Sequence, residues 1–161
     1  MAKENIPTTP ALLALRAAKV DFEIHTYPYV DKGGTKASSL ALGVDEHMVV
    51  KTIVLETGEK KPLICLMHGD RQISTKKLAR VLGVKTVSPC DPAVAERHTG
   101  YQVGGTSPFG TRKALPVYFE KSLLDLDAIY INGGARGVLV RIAPEVLERL
   151  LRATPVEVAT E

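Results

Sequence analysis

A lysine in the middle of a β-branched run is the first place in this chain where chemistry can reside. Val49-Val50-Lys51-Thr52-Ile53-Val54-Leu55 has the composition of a buried strand. Alternation puts Lys51 on the face of Val49, Ile53 and Leu55. An ammonium on an apolar face is costly unless something anionic or polar meets it. One reading is a concave, ligand-facing spot on a sheet. The other is a lysine at the start of the strand, reaching water along its own methylenes. Two glycine-rich stretches offer the complementary group: Val103-Gly104-Gly105-Thr106-Ser107-Pro108-Phe109-Gly110 and Asn132-Gly133-Gly134-Ala135-Arg136-Gly137. Bare glycine backbone lets N–H groups approach a ligand closely. Such a cradle suits a developing oxyanion, where one donor is worth about 3 kcal/mol of barrier. The plainer reading makes both stretches tight turns between strands.

Several chemistries lack their signatures. No Gly-Lys-Ser/Thr follows either glycine stretch, and neither fits a GxGxxG after a strand. There is no GxSxG elbow, no local Ser-His-Asp pattern and no pair of carboxylates in helical register. Any hydrolysis then rests on positioning and electrostatics, or on a group carried by the substrate. His25, His47, His68 and His98 are never spaced as metal ligands, so a zinc site is not expected. Cys65 lies inside Leu63-Ile64-Cys65-Leu66-Met67 and reads as a small buried hydrophobe, while Cys90 precedes Asp91-Pro92. Two isolated cysteines fit a reducing, cytoplasmic setting. No apolar run approaches membrane-spanning length.

The 161 residues carry a net charge of +3, with 45% hydrophobic and 24% charged residues, and fit one domain with a sizeable core. A mildly basic balance permits a polyanionic partner without requiring one. Lys76, Lys77, Arg80 and Lys85 decorate one helix and its exit, Arg112-Lys113 follow the first glycine stretch, and Arg136 and Arg141 flank the second. These are either solvated faces or phosphate contacts to a nucleic acid. Tyr27 and Tyr101 adjoin the candidate loops, as stacking platforms for a base or as residues at the edge of the core.

The elements that must hold these groups are legible from caps and periodicity. Thr9 caps a helix opened by Pro10, and Ser74 caps another that Gly83 ends. A short helix over 37–42 stops at Gly43, and Asp91-Pro92 opens one running to about His98. A last helix covers 144–152. Strands are expected over 22–27, 49–55, 63–67, 86–88, 117–119, 129–131, 138–142 and 156–158, with 49–55 and 63–67 forming an antiparallel hairpin. Residues 1–8 read as a flexible terminus and 9–161 as one domain. Helices and hairpins mix without a βαβ rhythm, which predicts an α+β fold with a mixed, mostly antiparallel sheet flanked by helices.

In order along the chain, Ile24-His25-Thr26-Tyr27, Val50-Lys51-Thr52, Asp91-Pro92, Arg97-His98-Thr99-Gly100-Tyr101, Gly104 to Gly110 and Tyr130 to Gly137 form a recognisable set. Together they resemble the YbaK/EbsC family, especially its Cys-tRNA(Pro) deacylases, from about Thr9 to Val158. The resemblance implies a curled sheet and a free-standing trans-editing factor similar to the editing domain of some prolyl-tRNA synthetases. It implies cleavage of the ester joining a wrong amino acid to a tRNA 3′ end. The substrate's own cysteine thiol would attack its carbonyl, which accounts for the missing protein nucleophile. No metal or organic cofactor is implied; aminoacylated tRNA is the partner, with prolyl-tRNA synthetase alongside, and no membrane or DNA.

By that resemblance Lys51 and Gly104 are the catalytic positions. Tyr27, Thr52, Gly105, Thr106, Ser107, Asn132, Gly133 and Gly134 would line the substrate site. Three positions depart from the family pattern. Asn132 replaces a serine, Leu139 replaces an aspartate able to meet the substrate ammonium, and the segment Pro28 to Lys36 lacks the expected phenylalanine. The expected reaction is deacylation of Cys-tRNA(Pro). The alternatives are another misacylated tRNA such as Ala-tRNA(Pro), or a non-catalytic module that binds tRNA or a synthetase.

Overall fold

A computed structural model describes residues 6–160. The flexible terminus expected over 1–8 lies mostly outside them. Thr9 caps helix α1 (Pro10–Ala17) by accepting a hydrogen bond from the Leu12 N–H at 3.1 Å. The same hydroxyl donates to the Gly133 carbonyl, so one cap ties the first helix to the second glycine loop. Glycines in left-handed conformation stop α2 (Gly34–Leu42), α3 (Thr75–Leu82) and α4 (Pro92–Thr99) at Gly43, Gly83 and Gly100. Ser74 caps α3 through the Lys77 N–H. The last helix, α5, spans Val146–Leu151.

The strands divide into two ladders. β1 (Glu23–Thr26), β7 (Val138–Ile142) and β6 (Ile129–Asn132) form a three-stranded antiparallel sheet in that order. The second sheet runs β4 (Val87–Pro89), β2 (Val50–Thr57), β3 (Pro62–His68), β5 (Val117–Glu120), β8 (Thr154–Val156). Its first three strands are antiparallel, and β5 and β8 join in parallel. A single parallel bridge, Val49 to Tyr130, stitches the two sheets. The architecture is α+β with mixed sheets, as the strand and helix pattern predicts. Short 3-10 turns at Glu46–Met48 and Lys121–Asp125, which no periodicity announces, complete the chain path.

β3 is buried on both faces, so it reads as a continuous apolar run rather than an alternating one. Ile64 and Leu66 meet Leu12, Leu15, Phe109, Phe119, Ile131 and Val140 on one side. Leu63, Cys65 and Met67 meet Leu55 and Leu78 on the other. Cys65 is fully enclosed, and burial pushes its thiol up to about 12. A third, smaller apolar cluster joins Val49, Tyr130 and Leu139 across the stitch, with Tyr27 packed against it.

Candidate active site

Lys51 is half-buried on the face of Val49, Ile53 and Leu55. Its ammonium is not free: Nζ donates to the Arg71 carbonyl at 2.6 Å. Burial lowers its pKa from the ordinary lysine value, while Glu46 and Asp70 nearby oppose the shift. Counting two residues on from the Val49–Tyr130 bridge sets Lys51 level with Asn132 at the end of β6. Neighbouring strands lie about 4.8 Å apart. The strand that carries the cation therefore runs beside the strand that delivers the second glycine loop.

Asn132 joins the two loops. Its Nδ2 donates to the Gly104 carbonyl at 3.2 Å, and its Oδ1 accepts from the Gly134 N–H at 2.6 Å. The neighbouring Val103 carbonyl accepts from Arg136 Nε at 2.8 Å, and the Gly105 N–H donates to Gln102. Among the described residues, the Gly104 N–H meets no acceptor. Gly104 is exposed at φ +88, and a Cβ there would lie 2.5 Å from the Tyr29 hydroxyl. At Gly105 an added Cβ would come within 3.0 Å of the Ala135–Arg136 backbone, so the loops touch main chain to main chain. The Arg136 guanidinium stacks over the Tyr29 ring, 4.9 Å from its centre.

The remaining expected residues divide by where they point. Tyr27 is half-buried, its N–H held by the Gly137 carbonyl, with burial and then the adjacent Tyr29 raising its pKa. Thr106 is partly exposed beside Gly105, its hydroxyl 3.5 Å from the Gln102 carbonyl. Thr52 faces away from Lys51, between Val50 and Val54, on the side that packs against the main core. Its Oγ1 is buried without a partner among the described residues. Ser107 is fully buried, and its Oγ accepts from the Phe109 N–H. Gly133 is enclosed too, its N–H donating to the Val138 carbonyl and its carbonyl accepting from the Thr9 hydroxyl. Ser107 and Gly133 therefore hold loop shape. Tyr101 is buried, and its hydroxyl donates to the Phe109 carbonyl. It is no stacking platform, because its ring belongs to the core.

Sequence reasoning missed two features. Tyr29, from the loop after β1, sits above Gly104 in the segment where an aromatic residue is expected; its place depends on a contact more than seventy residues away. The other is a cluster beside Lys51. His47 and His68 stack at 3.7 Å with rings 7° from parallel, and His47 Nδ1 contacts Asp70 at 2.8 Å. His68 is buried, with Nδ1 donating to the His47 carbonyl and Nε2 against Ser122 Oγ at 2.6 Å. Burial lowers the His68 pKa from its ordinary value. His47, His68 and Asp70 carry donor atoms close enough for an ion. An imidazole nitrogen binds a metal in its ring plane, however, and two stacked, nearly parallel rings do not aim their nitrogens at a shared point. The cluster instead braces the turn after β3: the Arg71 N–H donates to the His68 carbonyl, and the Arg71 carbonyl holds Lys51.

Fold and site together define a single-domain α+β protein with a lysine-bearing strand beside two interlocked glycine loops. The chain belongs to the family of aminoacyl-tRNA editing domains, whose model matches residues 33–150. It is, by that membership, an aminoacyl-tRNA editing deacylase. EbsC of Enterococcus faecalis, whose name proposes Cys-tRNA(Pro)/Cys-tRNA(Cys) deacylation, is 27% identical over 99% of this chain and 98% of its own length. A proline–tRNA ligase of Thermodesulfovibrio yellowstonii is 27% identical over 68% of this chain and only 18% of the ligase. Among solved structures, a candidate trans-editing enzyme for prolyl-tRNA synthetase superposes with a TM-score of 0.84 at 22% identity, covering 97% of this chain and all of that one. At that identity the superposition speaks for the fold. Among the described residues no helix is long and apolar enough to cross a membrane.

Proposed function

We propose that this deacylase clears cysteine from mischarged Cys-tRNA(Pro) in trans, in the cytoplasm, alongside prolyl-tRNA synthetase. The observation that supports the reading most is the Gly104 N–H, unpaired among the described residues at an exposed position, on a loop whose Gln102, Val103 and Gly104 carbonyls are engaged. Such a donor is oriented before the substrate arrives and needs no reorganisation as charge develops. In the proposed step the substrate Sγ attacks its own carbonyl carbon. The C–S bond forms, the C–O bond to the terminal ribose breaks, and the thiol proton ends on the ribose oxygen. The products are a cyclic thiolactone and tRNA with a free 3′ end. Gly104 polarises the carbonyl, with Gly105 and Thr106 keeping its loop in register and Asn132 and Gly134 bracing it from the other side. Lys51 positions the terminal ribose or phosphate and offsets negative charge. Tyr27 and Leu139 wall the amino-acid side chain.

Deacylation of a panel of tRNAs charged with cysteine, alanine or serine, with wild type and Lys51→Ala side by side, tests the reading. Turnover of Cys-tRNA(Pro) with trapping of a thiolactone is the expected outcome. Turnover of alanine-charged and serine-charged tRNA without the cysteine-charged one would replace thiol attack by attack of water. Binding with no release of any amino acid would leave a tRNA-holding module.

A further inference from the structure

A second concave surface lies apart from Lys51. It is a groove of about 830 Å³ at the C-terminal end of α4, lined by Glu96, Arg97, Gly100, Gln102 and Arg112, with the edge of Tyr101 as its floor. Its cationic groups are held in place rather than gathered by chance. The Arg112 N–H donates to the Thr99 carbonyl and the Lys113 N–H to the His98 carbonyl, which fastens 112–113 along the helix end. Gly100, left-handed at φ +80, leaves bare backbone on which the Arg112 side chain lies: a Cβ there would sit 3.5 Å from Arg112 Cβ and 3.6 Å from its Nε. Arg97 and Arg112 are both exposed, and among the described residues no carboxylate pairs with either. The one acid in the groove, Glu96, has an oxygen turned to the Val103 N–H at 3.4 Å. Beside them His98 Nδ1 is buried without a partner, and burial, then Lys113 and Arg97, hold its pKa below the ordinary histidine value. Three cations, Arg97, Arg112 and Lys113, thus crowd one helix end, and among the described residues none of them is in an ion pair.

The groove also adjoins the Gly104 loop. Gln102 lines it and Gly104 stands two residues on, at most about 7 Å along the chain. Glu96 and Arg136 grip Val103 between them, one from the groove side and one from the second glycine loop. We propose that this groove binds the phosphodiester backbone of the RNA acceptor strand just behind its 3′ end, with Arg97 and Arg112 as the principal phosphate contacts. A guanidinium pairs with phosphate oxygens through two parallel N–H groups, and contacts of this kind set orientation without reading sequence. The groove thereby fixes how far the strand's end advances past Gly104. The proposal rests on the reading that the substrate is a charged tRNA, and its test does not require turnover.

The probe is an uncharged RNA hairpin with a single-stranded 3′ end, its affinity followed by fluorescence anisotropy from low to moderate salt. Each lost phosphate contact reduces the slope of log K against log salt by about 0.7 to 0.9. The double variant Arg97→Gln/Arg112→Gln is expected to lower that slope by roughly 1.4 to 1.8, with binding at low salt weakened in step. The charge-keeping variant Arg97→Lys/Arg112→Lys retains most of the slope, which separates charge loss from misfolding. Lys76→Gln/Lys85→Gln, on and after α3, leaves it unchanged. An unchanged slope in the arginine-to-glutamine variant, a larger loss in the α3 variant, or no binding of the hairpin by wild type at low salt would each overturn the groove. Salt-dependent binding lost with the two arginines, but no deacylation of any charged tRNA, upholds the groove while the catalytic reading fails.

Discussion

Lys51 and the pair Arg97/Arg112 are all cations, yet the fold treats them oppositely. Lys51 is half-buried and pinned to a backbone carbonyl, and the turn that supplies this carbonyl is braced by stacked histidines. Arg97 and Arg112 are exposed, and among the described residues neither has an ionic partner. A charge meant to act on a bond being broken gains from being oriented and partly desolvated beforehand. A charge meant to hold a flexible polyanion gains from remaining solvated and reachable until the strand arrives. One molecule carries both arrangements, separated by the Gly104 loop.

The contrast breaks most decisively at the lysine. Lys51→Ala is expected to reduce single-turnover deacylation about 100-fold or more, with the melting temperature little changed. A variant that turns over normally would move Lys51 out of the chemistry. Next in size is Gly105→Ala. The added methyl meets the Ala135–Arg136 backbone rather than a movable side chain. Both stability, by about 1–3 kcal/mol, and activity should fall, read by thermal melting and initial rates. Asn132→Ala removes the bond to the Gly104 carbonyl that links the loops and the brace to the Gly134 N–H within the second loop, while the Arg136–Val103 link remains. It is expected to slow turnover about tenfold while weakening RNA hairpin binding much less, because the groove does not depend on it.

The pH dependence sharpens the same division. Catalysis that needs the Lys51 ammonium should fail on the alkaline side at a pH below the ordinary lysine value of 10.5, since burial lowers its pKa. The rate profile of wild type checks this. His68 works on the acid side. Its pKa is lower folded than unfolded, so the unfolded chain takes up protons first, and stability is lost as pH falls below the ordinary value of 6.5. His98 contributes in the same direction. The comparison of melting temperature against pH for wild type and His68→Gln therefore isolates His68: the variant should show the shallower acid decline. The smallest effect belongs to Thr52→Val. It removes a buried hydroxyl without a partner and should raise stability by about 1 kcal/mol.

Local signals made much of this readable from sequence. Thr9-Pro10, Ser74, Gly43 and Gly83 mark helix ends because caps act within four residues. Lys51 stands out because alternation assigns faces without any knowledge of partners, and the glycine pairs are visible as composition. Groups brought together by the chain path were not readable. The Arg71 carbonyl that holds Lys51, the meeting of His47 with His68, and Tyr29 over Gly104 each join segments whose distance apart no periodicity encodes. The division of the strands into two ladders has the same origin, since pairing across a sheet is decided by tertiary packing rather than by local preference. Ser107 and Gly133 belong to motifs that resemble a substrate site. A motif, however, does not separate the residues that touch a ligand from those that shape the loop.

Where two main chains touch at Gly105 and Ala135, position 105 has no room to acquire a side chain. On the proposed reading, retuning which amino acid is accepted therefore falls to the wall, at Tyr27 and Leu139, where side chains already exist to be exchanged. On that reading the loops set what reaction is possible, and the wall is the part of the molecule left free to diversify.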